Sequence, residues 1–417
     1  MTSEERTKES HLDDAARQNR PRLAFIWHKT GCNLLTSQVD AHITLVQILT
    51  ARWERAGFEV KDFGIVAPRS AATRNRIAEL VANADLIVTF LSNPSKVEEL
   101  YLSNGGILQN AKPNSKFIDL SLSTPQLSRE LHAMTSVHDS YYVEAPLVVD
   151  VVALMRLVSP VGGAQKDVVG MSNDAQDKAL TDAMRLFVGG ETSIVEQMLP
   201  VLEALTSHII PVGLPGAGAS ARISATLLKA ASLMGLAEAV TFALDSNMAP
   251  SAILSLIESD PHLSATARHY APLITAEEFM AGPAIKPFLN ELDVAIDVAK
   301  EFDLDLPVLE AAHQLYDILT MVGGADMALQ ALALTFREEE FCTRHGINWD
   351  LAQQTMEVYD FAQAMFHAEL VEEYECEDDD DDDYYDYDRG YHSLYRRRFE
   401  VGDGKGLPRI DDYFSSN

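Results

Sequence analysis

The chain has 417 residues, of which 47% are hydrophobic and 23% charged, the balance of an ordinary globular protein with length for two or three domains. Its formal net charge of −30 sets it against nucleic acid and anionic membrane surfaces, which would repel it. No run of about 18 apolar residues reads as a membrane span, and Cys32, Cys342 and Cys376 lie too far apart for a metal-ligand or disulfide spacing. The expectation is a cytoplasmic protein with reduced thiols and no metal.

Residues 1–20 are polar and read as a disordered leader. From Arg22 short apolar runs alternate with amphipathic stretches. Strands are expected at 22–27, 58–64, 85–91, 116–121 and 140–149, with helices at 42–57, 74–84, 95–102 and 125–137 between them. Strands separated by helical crossovers imply βαβ units and a doubly wound, Rossmann-like parallel sheet. The segment 151–180 interrupts this rhythm. Two further strands, 185–190 and 207–213, flank a helix.

From Ala219 the pattern becomes helical throughout. Residues 219–247 keep apolar positions at helical spacing without a proline, and a helix of that length spans about 40 Å. Helices are expected at 249–259, 288–303, 307–323 and 327–341. The acidic run 372–388 holds twelve acids and no base, so it repels itself and reads as disordered. The organisation expected is a leader (1–20), a dinucleotide-binding-like domain (21–213), a long interdomain helix opening an all-helical domain (214–371), and an acidic tail (372–417).

Three segments in this order carry a resemblance. Residues 84–121 contain a strand, the loop Phe90–Asn93, a helix, a glycine pair, and the D-x-S sequence Asp119, Leu120, Ser121. Residues 186–228 run from VGG through a helix to VGLPGAG and the start of the long helix. Residues 285–316 form a helix pair beginning at Lys286. The chain thereby resembles the 3-hydroxyisobutyrate dehydrogenase, or β-hydroxyacid dehydrogenase, family, with imine reductases as catalytically divergent relatives. The resemblance runs from about Leu23 to Met327. It implies NADP or NAD as cofactor, a small-molecule substrate in an interdomain cleft, and a homodimer.

Set against the family's motifs, the site residues are altered together. A dinucleotide loop needs glycines so that the backbone can approach the pyrophosphate, and in AFIWHKTGCN Trp27 and Lys29 fall at the first two glycine positions, with Gly31 surviving nearby. Lys29 and Gly31 remain the candidates for that loop, together with Leu91, Ser92 and Asn93, whose counterparts line the cofactor ribose. Asp62 and Arg69 leave NAD against NADP open. Ser121 stays as a substrate-binding candidate, with Leu122 in place of the family's threonine. The strand 140–149 places Val148 and Val149 in the S-G-G region, and a second candidate, SPVGGA, lies at 159–164.

The family's K-x-x-N-N run becomes Arg222, Ala225 and Thr226. Arginine can anchor a carboxylate or stabilise an oxyanion, but it does not release a proton. Lys229 lies two turns on and is expected to be too distant to replace the lysine without a rearranged substrate. Lys286 matches the family's later lysine, with Pro287 at the aspartate. Tyr141, Tyr142 and His28 are alternative proton donors. The reading is a divergent NAD(P)-dependent oxidoreductase acting on a C=O/CH–OH or C=N bond, with Arg222, Ser121 and Lys286 as catalytic candidates. A non-catalytic binding or assembly subunit is the alternative, and an enzyme of another kind using Arg222 as an anion anchor is a third.

Overall fold

The structure is a computed structural model that describes residues 20–28, 41–65, 70–150, 153–154 and 173–351. The expected leader, most of the 151–180 segment and the acidic tail lie outside them.

Strand β1 (Arg22–His28) alternates its side chains between two cores. Leu23, Phe25 and Trp27 join one apolar cluster, and Ala24 and Ile26 the other, as a strand covered on both faces requires. Helix α1 (Ala41–Arg55) covers the first face. Its Trp53 ring meets Phe25 edge-on at 5.0 Å and its indole N–H donates to Val201 O at 2.9 Å. Strand β2 (Glu59–Ile65), helix α2 (Ala71–Ala82), strand β3 (Leu86–Phe90), helices α3 (Pro94–Leu102) and α4 (Ile107–Asn110), strand β4 (Lys116–Asp119), helix α5 (Pro125–Val137) and strand β5 (Tyr141–Glu144) follow. The first five strands pair in parallel in the order β2-β1-β3-β4-β5, so the point where the order reverses lies between β1 and β3.

The sheet departs from an all-parallel one at its far side. Strand β6 (Leu147–Val149) continues β5 across Ala145–Pro146. Both lie antiparallel to β7 (Met184–Gly189) in one unbroken register, Glu144 opposite Gly189 and Leu147 opposite Leu186. Proline lacks the N–H for the ladder, which divides one line into two strands. Helix α6 (Asn173–Asp182) precedes β7, and helix α7 (Thr192–Glu203) leads to β8 (Ile209–Gly213), which pairs with β7 in parallel.

Helix α8 (Ala217–Asp245) has 29 residues. By length and apolar composition it could cross a membrane, with a mean hydropathy of 1.5 over its most apolar window. Here Ala230, Leu233, Leu236, Ala237 and Val240 are buried in the core of the helical half. Helices α9 (Pro250–Ser259), α10 (Ala265–Thr275), α11 (Ile285–Glu301) and α12 (Pro307–Leu319) complete that half.

The helix expected over 327–341 is replaced by a 3-10 segment, Leu329–Phe336, and a short helix α13, Glu339–Arg344. Residues Leu329 through Thr335 are all buried. The segment therefore has no solvent face, and an amphipathic helix is not what its environment selects. Helix α10 was not read from the sequence; Pro272 sits inside it.

Two glycines allow α8 to start against the sheet. A Cβ on Gly218 would lie 2.7 Å from Phe187 O, and one on Gly189 would overlap the Glu144 carboxylate. That carboxylate accepts the Gly218 N–H at 2.8 Å, where the positive end of a helix favours an acid. Burial nevertheless pushes the Glu144 carboxyl above its ordinary value, against the hydrogen bonds of Ser128 and the Gly218 amide.

Candidate active site in the interdomain cleft

A cleft with a cavity volume of about 130 Å3 opens where α8 and α11 face the C-terminal ends of β3 and β4. That space holds on the order of ten waters or one small organic molecule.

The strand-side wall is built from backbone and small groups. The Leu91 N–H at the end of β3 donates to Ser121 Oγ at 2.8 Å, so Ser121 ties the β3 loop to the β4 loop. Asp119, fully buried beneath it, accepts the Ser121 N–H at 3.1 Å and the Thr89 hydroxyl at 2.8 Å. Tyr142 Oη donates to the same carboxylate at 3.4 Å. Burial raises the Asp119 carboxyl above its ordinary value against the opposing donors Ser121, Thr89 and Tyr142. Pro146, Leu147, Val148 and Val149 complete this wall.

The helix-side wall carries the charge. Arg222, Thr226 and Lys229 recur along α8 at a spacing that puts them on one face. The Arg222 guanidinium donates to Glu291 Oε1 of α11 at 2.6 Å and to Leu147 O at 3.0 Å, while the Thr226 hydroxyl donates to Glu291 Oε2 at 3.0 Å. Both carboxylate oxygens of Glu291 are thus occupied. Burial pushes the Glu291 carboxyl upward, but Arg222, Lys229 and Thr226 outweigh it and the net shift is downward. Lys229 Nζ stands 5.1 Å from the centre of the Phe288 ring. Its pKa is lowered, chiefly by burial and secondarily by Arg222, against the opposing fields of Glu291 and Asp150. A direct strut joins the walls, Asn290 Nδ2 donating to Ser92 O at 3.1 Å.

The candidates drawn from the sequence fall into three groups. Arg222, Ser121, Leu91 and Ser92 line the cleft. Asn93 does not, because its side chain caps α3 by accepting the Lys96 N–H at 3.0 Å. Lys286 is exposed at the start of α11 while its neighbours Ala284, Pro287 and Phe288 line the cleft. Lys29 and Gly31, like Arg69 and the SPVGGA copy, lie outside the described residues. Tyr142 is buried with its hydroxyl on Asp119, and His28 is buried at the end of β1.

Lys229, expected to lie two turns from Arg222 and too distant to replace the family's lysine without a rearranged substrate, lines the same cleft as Arg222. Glu291 and Asn290 were not singled out from the sequence, since they face α8 and the β3 loop only in the fold.

Trp27, at the first glycine position, is still a strand residue, paired with Gly64 and Phe90. Its ring is buried and its N–H donates to Asp62 at 3.2 Å. The strand therefore runs through the point where the family's glycine turn begins.

Two family models match in tandem. Residues 48–151 match the NAD binding domain of 6-phosphogluconate dehydrogenase, and residues 216–335 match the NAD-binding domain of NADP-dependent 3-hydroxyisobutyrate dehydrogenase, together more than half of the chain. The chain belongs to the β-hydroxyacid dehydrogenase family. Among relatives of this chain, an uncharacterized oxidoreductase of Bacillus subtilis is 26% identical over 267 residues, 64% of this chain and 84% of that protein. The 2-(hydroxymethyl)glutarate dehydrogenase of Eubacterium barkeri is 25% identical over 266 residues, covering 64% of this chain and 78% of that protein. The 3-hydroxyisobutyrate dehydrogenase of Mycobacterium tuberculosis has the same fold, with a TM-score of 0.57 at 22% identity, covering 76% of this chain and all of that one.

Proposed function

We propose that the cleft between the strand ends and α8 is where this protein carries out hydride-transfer chemistry on a small C=O/CH–OH or C=N substrate. The chain is a divergent NAD(P)-dependent oxidoreductase. The observation that carries the site assignment is the convergence of Arg222, Thr226, Lys229 and Glu291 on the strand-end wall of one cavity. The dinucleotide is placed in this reading at the sheet's switch point between β1 and β3, where the Leu91–Ser92 backbone is presented beside Ser121. When bound, NAD(P) supplies or accepts the hydride.

In this reading Leu91, Ser92 and Ser121 shape the pocket for the cofactor and substrate, with Lys29 and Gly31 as the proposed loop contacts beyond the described residues. Arg222 is committed to Glu291 and Leu147 and acts by charge and orientation. The positions at which the family grips its substrate offer no free carboxylate ligand here: valines stand in the S-G-G region, Leu122 replaces the threonine, and the Arg222 charge is already paired.

A homodimer is the proposed assembly. Leu228 and Phe242 are 71% and 74% exposed on one stripe of α8, and Leu256 of α9 is 58% exposed, an apolar surface suited to burial between copies. A reducing, cytoplasmic setting is proposed from the widely spaced cysteines and the buried Cys342 thiol, which donates to Leu334 O at 3.0 Å.

Titration of the purified protein with NADPH and NADH by fluorescence or calorimetry tests the reading. Binding of either at micromolar concentration is expected. Failure of both to bind at millimolar concentration would overturn it and favour a non-catalytic binding subunit.

A further inference from the structure

An oxidoreductase acting on C=O or C=N needs a group that delivers a proton to the oxygen or nitrogen, or removes one in the reverse direction. The cleft offers few. Arg222 stays protonated and is engaged by Glu291 and Leu147. Glu291 is held as an anion by Arg222 and Thr226. The Ser121 hydroxyl oxygen holds the Leu91 amide, and Tyr142 is buried behind the wall on Asp119. Lys286 is exposed outside the cleft.

Lys229 differs from all of these. Its side chain lines the cavity, packs over the Phe288 ring, and makes no ion pair within 4 Å among the described residues. It lies about 10 Å along α8 from Arg222 on the same face, with Glu291 between them. We propose that Lys229 is the proton-transferring residue of this cleft, the role moved two turns along α8 from the position that Arg222 occupies.

The proposal rests on the oxidoreductase reading. In the reducing direction the Nζ–H bond breaks and its proton joins the substrate oxygen or nitrogen as hydride reaches the carbon. Lysine is left as a neutral amine and is recharged from water at the cleft mouth. In the oxidising direction the neutral amine takes the hydroxyl proton as the C–H bond gives up its hydride to the oxidised nicotinamide cofactor and the C–O bond becomes C=O. The charged groups facing Nζ are Glu291 on α11, Arg222 on α8 and Asp150 beyond β6. Burial and Arg222 favour the amine, while Glu291 and Asp150 favour the ammonium, and the net shift is downward, the direction a lysine that exchanges protons needs.

The test is a 13C NMR titration of the full chain after reductive methylation of its lysines, with the Lys229 resonance assigned by its loss in Lys229→Arg. It is recorded free, with NADPH and with NADP+. The two cofactors share their phosphates and differ by the positive charge of the oxidised ring. A lysine beside the reacting carbon loses its proton more readily in the NADP+ complex, by about tenfold in ionisation constant. The expected result is a depressed pKa in the free protein and a further drop with NADP+ relative to NADPH. A Lys229 that titrates like a surface lysine, or identically in the two complexes, overturns the proposal while leaving the oxidoreductase reading intact. No binding of either cofactor removes both. Lys229→Met that still binds NADPH confirms that any loss of proton transfer is not a loss of fold.

Discussion

The two walls of the cleft are built on different principles. On the strand side, positions are fixed by backbone amides and hydroxyls around one buried acid: Ser121 receives the Leu91 amide, and Asp119 beneath collects Ser121, Thr89 and Tyr142. On the helix side, position depends on charge: Arg222, Lys229 and Glu291 share one partly buried network with Thr226. A wall made largely of main chain tolerates substitution, so the presence of Leu91 and Ser92 there says little by itself, whereas Ser121 acts through its hydroxyl. A wall made of charges changes only in concert. Arg222 in place of a lysine is accompanied by Glu291, which neutralises it, and by a second cation on the same face.

Cutting the helix-side network should have the largest effect. Glu291→Leu leaves Arg222 and Lys229 facing each other without their acid, at a cost of about 3–5 kcal/mol, read by urea denaturation. A loss below about 1 kcal/mol would mean that the charges are solvated and that the contrast between the walls is false. The pH dependence follows from the same residue. The Glu291 carboxyl lies below its unfolded value, so its contribution is complete above the ordinary glutamate range and is lost as pH falls through the lowered value. Glu291→Gln should flatten the acid limb of the stability curve, and an unchanged limb would contradict the assignment.

Gly189→Ala probes the joint between sheet and α8. Its methyl would displace the Glu144 carboxylate from the Gly218 amide, costing about 1–3 kcal/mol in the melting transition, and no change would show that α8 shifts freely. On the strand wall, Ser121→Ala orphans the Leu91 amide and should cost about 1–3 kcal/mol while leaving the charge network intact. Lys286→Ala, at an exposed position, should stay within about 0.5 kcal/mol and leave cofactor affinity unchanged; weakened NADPH binding would bring Lys286 back into the site.

Much of the framework could be read because local signals agreed. Thr124 caps α5 and Pro125 occupies its first turn, so the expected helix 125–137 coincides with the observed one. The continuous apolar run Leu23–Trp27 marked β1, and the fold buries both of its faces. The 3-10 segment Leu329–Phe336 was not legible, because a run buried on every side carries no amphipathic period. Nor was the reversal of β7, since the strand Tyr141–Val149 gives no sign of which direction its next partner runs.

At the candidate site, the D-x-S segment lies on the strand-side wall of the cleft, while Gly189 and Gly218 of the VGG–GAG segment bring α8 against the sheet. The pairing of Arg222 with Glu291 spans 69 residues and has no local signature. The spacing of Arg222, Thr226 and Lys229 in the first half of α8 was the available clue to a polar face.

The most direct test of the division of labour between the walls is calorimetric titration of NADPH and NADH into the wild-type protein and Lys229→Met. The account predicts that both proteins bind the same cofactor with dissociation constants within about twofold of one another, a difference under about 0.5 kcal/mol, because the strand wall holds it. Binding lost in Lys229→Met with its fold intact, or absent from the wild type, would contradict it.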